Sequence, residues 1–204
     1  MKFPFRPQRR ILVAGALCAL PTALIGCTPE PSGKPLPFKG SDITGSGLGK
    51  DLDMVDGDGH ERTLADFKGK VLMIYFGFTQ CPDVCPTSMA QAALAIEQLG
   101  DKARDVQVIL ISVDPERDTP PVIKAYAKLF NPDFIGLTGT PEQLRKTAQS
   151  FKAFYSKEPG PTPEQYTMNH SSTFYLMDKN GEARALIRAD SPPEDIAHDI
   201  ELLL

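Results

Sequence analysis

Two runs, the continuously apolar Val71 to Phe78 and the largely apolar Val106 to Val113, do most to restrict what this chain can fold into. Each has the length of a strand, and a strand that is apolar on both faces needs cover from both sides. Between them Met89, Ala92 or Ala93, Ile96 and Leu99 recur at helical spacing from Pro86, and Gly100 closes the pattern. Strand, helix and strand in this order make a βαβ unit with parallel strands. Upstream, Asp51–Val55 and Glu61–Leu64 flank Asp56-Gly57-Asp58-Gly59 and read as a small hairpin. Downstream come a helix from Thr119-Pro120 to about Phe130, a short strand Phe134–Leu137, and a capping-box helix start at Thr140-Pro141-Glu142-Gln143. Strands Ser171–Met177 and Glu182–Ala189 flank the turn Asp178-Lys179-Asn180-Gly181, and a second capping box, Ser191-Pro192-Pro193-Glu194, opens a last helix burying Ile196, Ile200 and Leu203. The order predicts an α/β fold: a thioredoxin-like mixed sheet flanked by helices, with an N-terminal β-hairpin extension.

The first 49 residues belong to a different regime. Residues 1–26 hold Lys2, Arg6, Arg9 and Arg10 and no acid, then an apolar run, Ile11–Leu20, too short to span a bilayer as a stable helix. This is the layout of an export signal. Arg9-Arg10 reads as a plain basic stretch, with a twin-arginine signal as the alternative. Leu24-Ile25-Gly26-Cys27 is similar to a bacterial lipobox, which makes Cys27 the lipidated first residue of the mature protein; an ordinary secretory signal with a chance cysteine is the plainer alternative. Residues 27–49, rich in Pro, Gly and Ser, read as a flexible tether, and residues 50–204 as the folded domain. The expected place is the extracytoplasmic face of a bacterial membrane, held by lipid, and periplasmic in a Gram-negative cell.

The chain carries 22 basic and 26 acidic residues; without the four basic residues of the leader the balance falls from -4 to -8. That excludes nucleic acid as a partner, because no basic patch is left to displace counterions from phosphates. Cys18 leaves with the leader, so Cys81 and Cys85 are the only unmodified thiols of the mature chain. They lie in Cys81-Pro82-Asp83-Val84-Cys85-Pro86, just past the first buried strand, where α/β sheets gather ligands. Pro86 suits the first helical position, which makes Cys85 the N-cap and predicts thiols made acidic by the helix N-terminus. A passive disulfide across so short a loop would add little stability.

Three histidines are present. His60 and His198 read as surface residues. His170 ends a Pro-rich, acidic loop, Ser156–Asn169, and precedes the strand Ser171–Met177. If that strand runs antiparallel to the first two, His170 joins the cysteines at one sheet edge. Two thiolates and an imidazole suit Cu(I), and with an oxygen donor Cu(II); zinc is compatible by ligand type. Asp114, past the second strand, is a candidate outer-sphere or partner-contacting acid, with turn formation before Pro115 as its simpler role. Redox exchange, metal binding or both remain open to the thiols at this point, including a peroxidase reading.

Cys81–Pro86, Ser112-Val113-Asp114-Pro115-Glu116-Arg117-Asp118-Thr119-Pro120 and Asn169-His170-Ser171-Ser172, with Gly136-Leu137-Thr138-Gly139-Thr140 in support, together resemble the Sco/SenC family over residues 50–204. These are copper-binding proteins of cytochrome c oxidase assembly. The resemblance implies a thioredoxin-like fold and one copper per chain, Cu(I) or Cu(II), held by Cys81, Cys85 and His170. It implies a metallochaperone, not an enzyme, that builds the copper A centre with cytochrome c oxidase subunit II as partner. Other periplasmic copper chaperones or thiol–disulfide reductases are expected partners too. The alternative is a thiol–disulfide reductase acting through Cys81 and Cys85 on the cysteines of the oxidase subunit, although such enzymes usually place two residues, not three, between their cysteines. Many members have a transmembrane anchor where this chain has a lipobox, and Thr28 after Cys27 leaves the inner or outer membrane open.

Overall fold

A computed structural model describes residues 36–162 and 165–204; the leader, Cys27 and the first part of the tether lie outside the described residues. The chain runs β1 (Ser41–Asp42), β2 (Asp53–Asp56), β3 (Glu61–Thr63), β4 (Val71–Gly77), α1 (Val84–Gln98), β5 (Val106–Ser112), α2 (Pro120–Lys128), β6 (Ile135–Thr138), α3 (Pro141–Phe151), β7 (Tyr155–Glu158), β8 (Thr167–His170), β9 (Thr173–Met177), β10 (Ala183–Arg188) and α4 (Pro193–Glu201). Eight strands form one mixed sheet in the order β1-β10-β9-β4-β5-β6-β2-β3, while β7 and β8 pair only with each other. Among the described residues no helix is long and apolar enough to cross a membrane.

The two apolar runs take the centre. Every residue of β4 and β5 is buried, and they pair in parallel from Val71–Val106 to Gly77–Ser112. Burial of whole strands means cover on both faces; α1 packs with α4, α2 against β6 and α3 against β2. Gly136 of β6 shows how closely α2 approaches: a Cβ there would sit 2.4 Å from the Ile123 carbonyl oxygen. The predicted hairpin is present as β2 and β3, and β2 joins the sheet through β6. At the other side, β9 runs antiparallel to β4, with Phe174 opposite Tyr75 and Met177 opposite Leu72. The start of β9 therefore lies at the carboxyl end of β4.

Four expectations need correction. The folded part begins before Lys50: β1 pairs with β10, and the Lys39 and Gly40 amides donate to the Asp199 carboxylate at 2.7 and 2.8 Å. Helix α1 starts at Val84 with Asp83 as N-cap, so Cys85 is inside the first turn. Pro86 is tolerated one residue further in because the first N–H groups of a helix have no intrahelical partner. The segment 156–169 is not a loop; it holds most of the β7–β8 hairpin, with Tyr155 opposite His170. Ser191 is not a helix cap: Pro192 takes that place, extended ahead of Pro193, without a side-chain bond.

Candidate metal centre

The carboxyl end of β4 leads through Phe78-Thr79-Gln80 to Cys81, and α1 then begins. This turn is pinned from below by Asp118, which has no solvent exposure. The Asp118 carboxylate accepts from Thr79 Oγ1 (2.6 Å), the Thr79 amide (3.1 Å) and Ser112 Oγ (2.7 Å). It thus ties the ends of β4 and β5 together. Burial raises the Asp118 carboxyl above its usual range, and the three bonds work against that rise.

Both cysteines are free thiols, Cys81 half-buried and Cys85 fully buried. The Cys85 amide, one of the unpaired donors of the first helical turn, donates to Cys81 Sγ at 3.4 Å. Cys85 Sγ lies 3.2 Å from His170 Nε2. The donor atoms of Cys81, Cys85 and His170 all lie within 4.8 Å of one another, and among the described residues no other group of three such side chains converges in this way. That spacing suits a single ion touching all three. His170 Nδ1 lies 3.1 Å from the Ser171 carbonyl oxygen. A carbonyl only accepts, so Nδ1 carries the proton and Nε2 turns its lone pair towards Cys85.

At Cys85 the electrostatics differ from the expectation of an acidic thiol. Burial pushes the Cys85 thiol far up, overriding a backbone hydrogen bond from Phe78. A helix dipole acts mainly on groups at the helix mouth, whereas Cys85 lies beneath it among apolar side chains. Burial also pulls His170 down, offset in part by the Ser171 and Phe76 backbone. Cys85 is therefore a protonated thiol beside a neutral imidazole, so a metal ion that takes both must displace the thiol proton.

Several residues around the site carry no obvious sequence signal. Tyr75, fully buried on β4, sets its ring edge-on to His170 with centroids 5.8 Å apart, and Phe78 does the same at 5.8 Å. The Tyr75 hydroxyl has no partner at hydrogen-bond distance, though Ser88 and Cys85 are near enough to bear on its ionisation; burial pushes it far up. Gly77 leaves room for the sulfur: a Cβ there would lie 2.9 Å from Tyr75 Cε1 and 3.1 Å from Cys85 Sγ. Asp114 is buried, pairs with Arg117 and accepts from Tyr166 Oη at 2.7 Å. His60 is exposed beside Asp56, and His198 is part-exposed with Nδ1 3.0 Å from Asp199 Oδ1.

Fold and site together define a thioredoxin-like α/β protein with two thiols and an imidazole at one sheet edge. The SCO1/SenC family model matches residues 41–204. The SCO2-like protein of Rickettsia felis is 40% identical over 150 residues, covering 73% of this chain and 73% of that one. The structure of Bradyrhizobium japonicum ScoI with copper bound superimposes with a TM-score of 0.71 at 38% identity, covering 77% of this chain and 99% of that chain. BsSco, a member of the Sco family of cytochrome c oxidase assembly proteins in which a disulfide switch was identified, gives a TM-score of 0.59 at 27% identity over 76% of this chain and 94% of that chain. The chain belongs to the SCO1/SenC family.

Proposed function

We propose that this protein is a copper metallochaperone for assembly of the copper A centre of cytochrome c oxidase, taking one copper on Cys81, Cys85 and His170. The observation that carries the reading is the convergence of those three donor atoms within 4.8 Å. Two sulfurs and one nitrogen form a soft, three-donor set that suits Cu(I), and an added oxygen donor would suit Cu(II). ScoI of Bradyrhizobium japonicum, similar over its whole length, is a copper-bound member of the same family. Copper here is cargo: Cys85 gives up its proton to receive it, and His170 offers a nitrogen already deprotonated. The partner is subunit II of the oxidase, with other periplasmic copper chaperones or thiol–disulfide reductases upstream. The similarity of Leu24-Ile25-Gly26-Cys27 to a lipobox supports a domain tethered by lipid on the outer face of a bacterial membrane. The test is a titration of the reduced protein with copper: one equivalent binds, and a Cys81→Ser, Cys85→Ser double variant binds none tightly. Tight stoichiometric copper in that variant refutes the reading.

A second reading rests on a separate observation. The Cys81 and Cys85 sulfurs lie within 4.8 Å of each other, the Cys85 amide donates to Cys81 Sγ, and both are free thiols. The disulfide switch of BsSco is consistent with the same pair cycling between thiol and disulfide. A reductase for the oxidase cysteines needs only the two sulfurs, so His170→Ala separates the readings. A reductase keeps its rate in that variant, while a copper carrier loses affinity.

A further inference from the structure

His170 reaches the cysteines from β8, and β8 pairs only with β7, outside the main sheet. His170 is therefore not itself a rung of the ladder that fixes β4 and β5, although β9 of the main sheet begins three residues later. Side chains of the turn after β5 span the gap: Glu116 pairs with Lys157 of β7 at 2.7 Å, and Arg117 makes the more buried link. Arg117, in the turn after β5, has a side chain only 16% exposed and pairs with Asp114. Its Nη1 donates to the Tyr166 carbonyl at 3.0 Å and to Gln80 Oε1 at 3.0 Å. Tyr166 stands just ahead of β8, and Gln80 stands beside Cys81. Arg117 also lies face-on to the Tyr166 ring, 3.7 Å from its centroid, while Lys157 Nζ covers the same ring at 3.8 Å. The Tyr166 hydroxyl closes the circuit by donating to Asp114. A last contact runs inward: the guanidinium is 5.9 Å from the Phe78 ring, which meets the His170 ring edge-on.

We propose that Arg117 is the positioning residue of the site, clasping the His170 hairpin and the Cys81 turn to one guanidinium so that the imidazole stays against the two sulfurs. Only a planar fork can serve Asp114, Gln80 and the Tyr166 carbonyl while stacking on the Tyr166 ring; a lysine ammonium has the charge without the geometry. The proposal rests on the reading of Cys81, Cys85 and His170 as a three-donor metal site. It adds that the third donor is held from the side by residues that touch no metal.

The test compares the reduced wild-type protein with Arg117→Gln, Arg117→Lys and Tyr166→Phe, using copper(II) alone as the probe. In the metal-free proteins, amide exchange in β7 and β8 should speed up by about tenfold or more in Arg117→Gln, as befits loss of charge-assisted bonds, with β4 and β5 unchanged. After copper(II) is added, the nitrogen hyperfine coupling of His170 should weaken in that variant while one copper per chain is still held by sulfur. Arg117→Lys should not restore either readout. Tyr166→Phe, which loses only the hydroxyl's bonds to Asp114 and Glu116, should move both in the same direction by less. Wild-type exchange and undiminished nitrogen coupling in Arg117→Gln overturn the clasp, as does full rescue by lysine. If Arg117→Gln does not fold, Tyr166→Phe decides, and wild-type behaviour there overturns it. Absence of nitrogen coupling in the wild-type protein overturns the three-donor reading itself, a separate result.

Discussion

A thiol sealed beneath a helix and a thiol at its edge meet reagents and metals on different terms. Cys85 has no solvent exposure and burial keeps it protonated through neutral pH, while Cys81 stands half-open before α1. In the metal-free reduced protein, iodoacetamide should therefore modify Cys81 at least about tenfold faster than Cys85, because burial holds Cys85 protonated and out of reach. Peptide mapping during a time course reads this directly, and prior labelling of Cys85 would contradict the geometry. The same burial sets the pH dependence of copper uptake. The proton on Cys85 competes with the metal, so apparent affinity should rise with pH across the neutral range. His170 is lowered by burial and already neutral at pH 7, so it should release no proton there. Proton release measured in weak buffer, together with affinity at several pH values, checks both signs; affinity that falls with rising pH would count against this account. The cysteine pair and its histidine were legible as residue types in a pattern. Tyr75, Gly77 and Arg117 were not, since their importance comes from packing around Cys85 and from a hairpin that the residue pattern does not announce.

At the scale of elements, legibility followed apolar patterning. Strand β4 announced itself as an unbroken apolar run, β5 as a largely apolar one, and α3 by its Thr140–Gln143 capping box, whose bonds are present at 3.2 and 2.9 Å. Strands β7 and β8 were read as a loop because each has at most one buried side chain and their surroundings are rich in Pro and acid. The β2–β3 hairpin was legible from its turn, and one residue there governs its acid stability. Burial raises the Asp56 carboxyl, but bonds from the His60 amide, the Arg62 side chain and the Asp58 amide outweigh it and bring it down to about 2. A carboxyl depressed below its unfolded value of about 3.9 stabilises the fold above that pH, and the benefit fades as pH falls towards the folded value. Asp56→Asn should therefore cost roughly 1–2 kcal/mol at pH 7 and remove that part of the acid dependence between about pH 4 and 2. Urea unfolding at pH 7 and near pH 2.5 tests it: the difference between variant and wild type should shrink on acidification, and a constant difference would assign the cost to packing.

Across the whole molecule the two ends of the described chain are tied together, which composition did not reveal because residues 36–49 read as a polar, Gly-rich tether. Phe38 and Leu36 pack on the core, Leu48 is buried, and β1 extends the sheet beyond β10. The tie itself is Asp199 of α4, whose side chain has no exposure and whose two oxygens accept from the Lys39 and Gly40 amides. Gly40 is required there: a Cβ would lie 2.4 Å from the Leu186 carbonyl oxygen on β10. A chain beginning at Lys50 would keep the complete site yet leave the Asp199 carboxylate without its two amide donors. Loss of those two hydrogen bonds together with β1 and the apolar contacts of Leu36, Phe38 and Leu48 is expected to cost about 3–5 kcal/mol relative to a chain beginning at Leu36. Asp199→Asn in the longer chain should cost less, about 1–3 kcal/mol, because the amide still accepts one of the two bonds. Since both changes break the same contact, their effects should not add: shortening an Asp199→Asn chain should cost clearly less than shortening the parent. Four urea unfolding curves complete this cycle. Additive effects would mean that the strap stabilises the fold through β1 and its apolar contacts alone, with Asp199 playing no part in holding the first residues to the last helix.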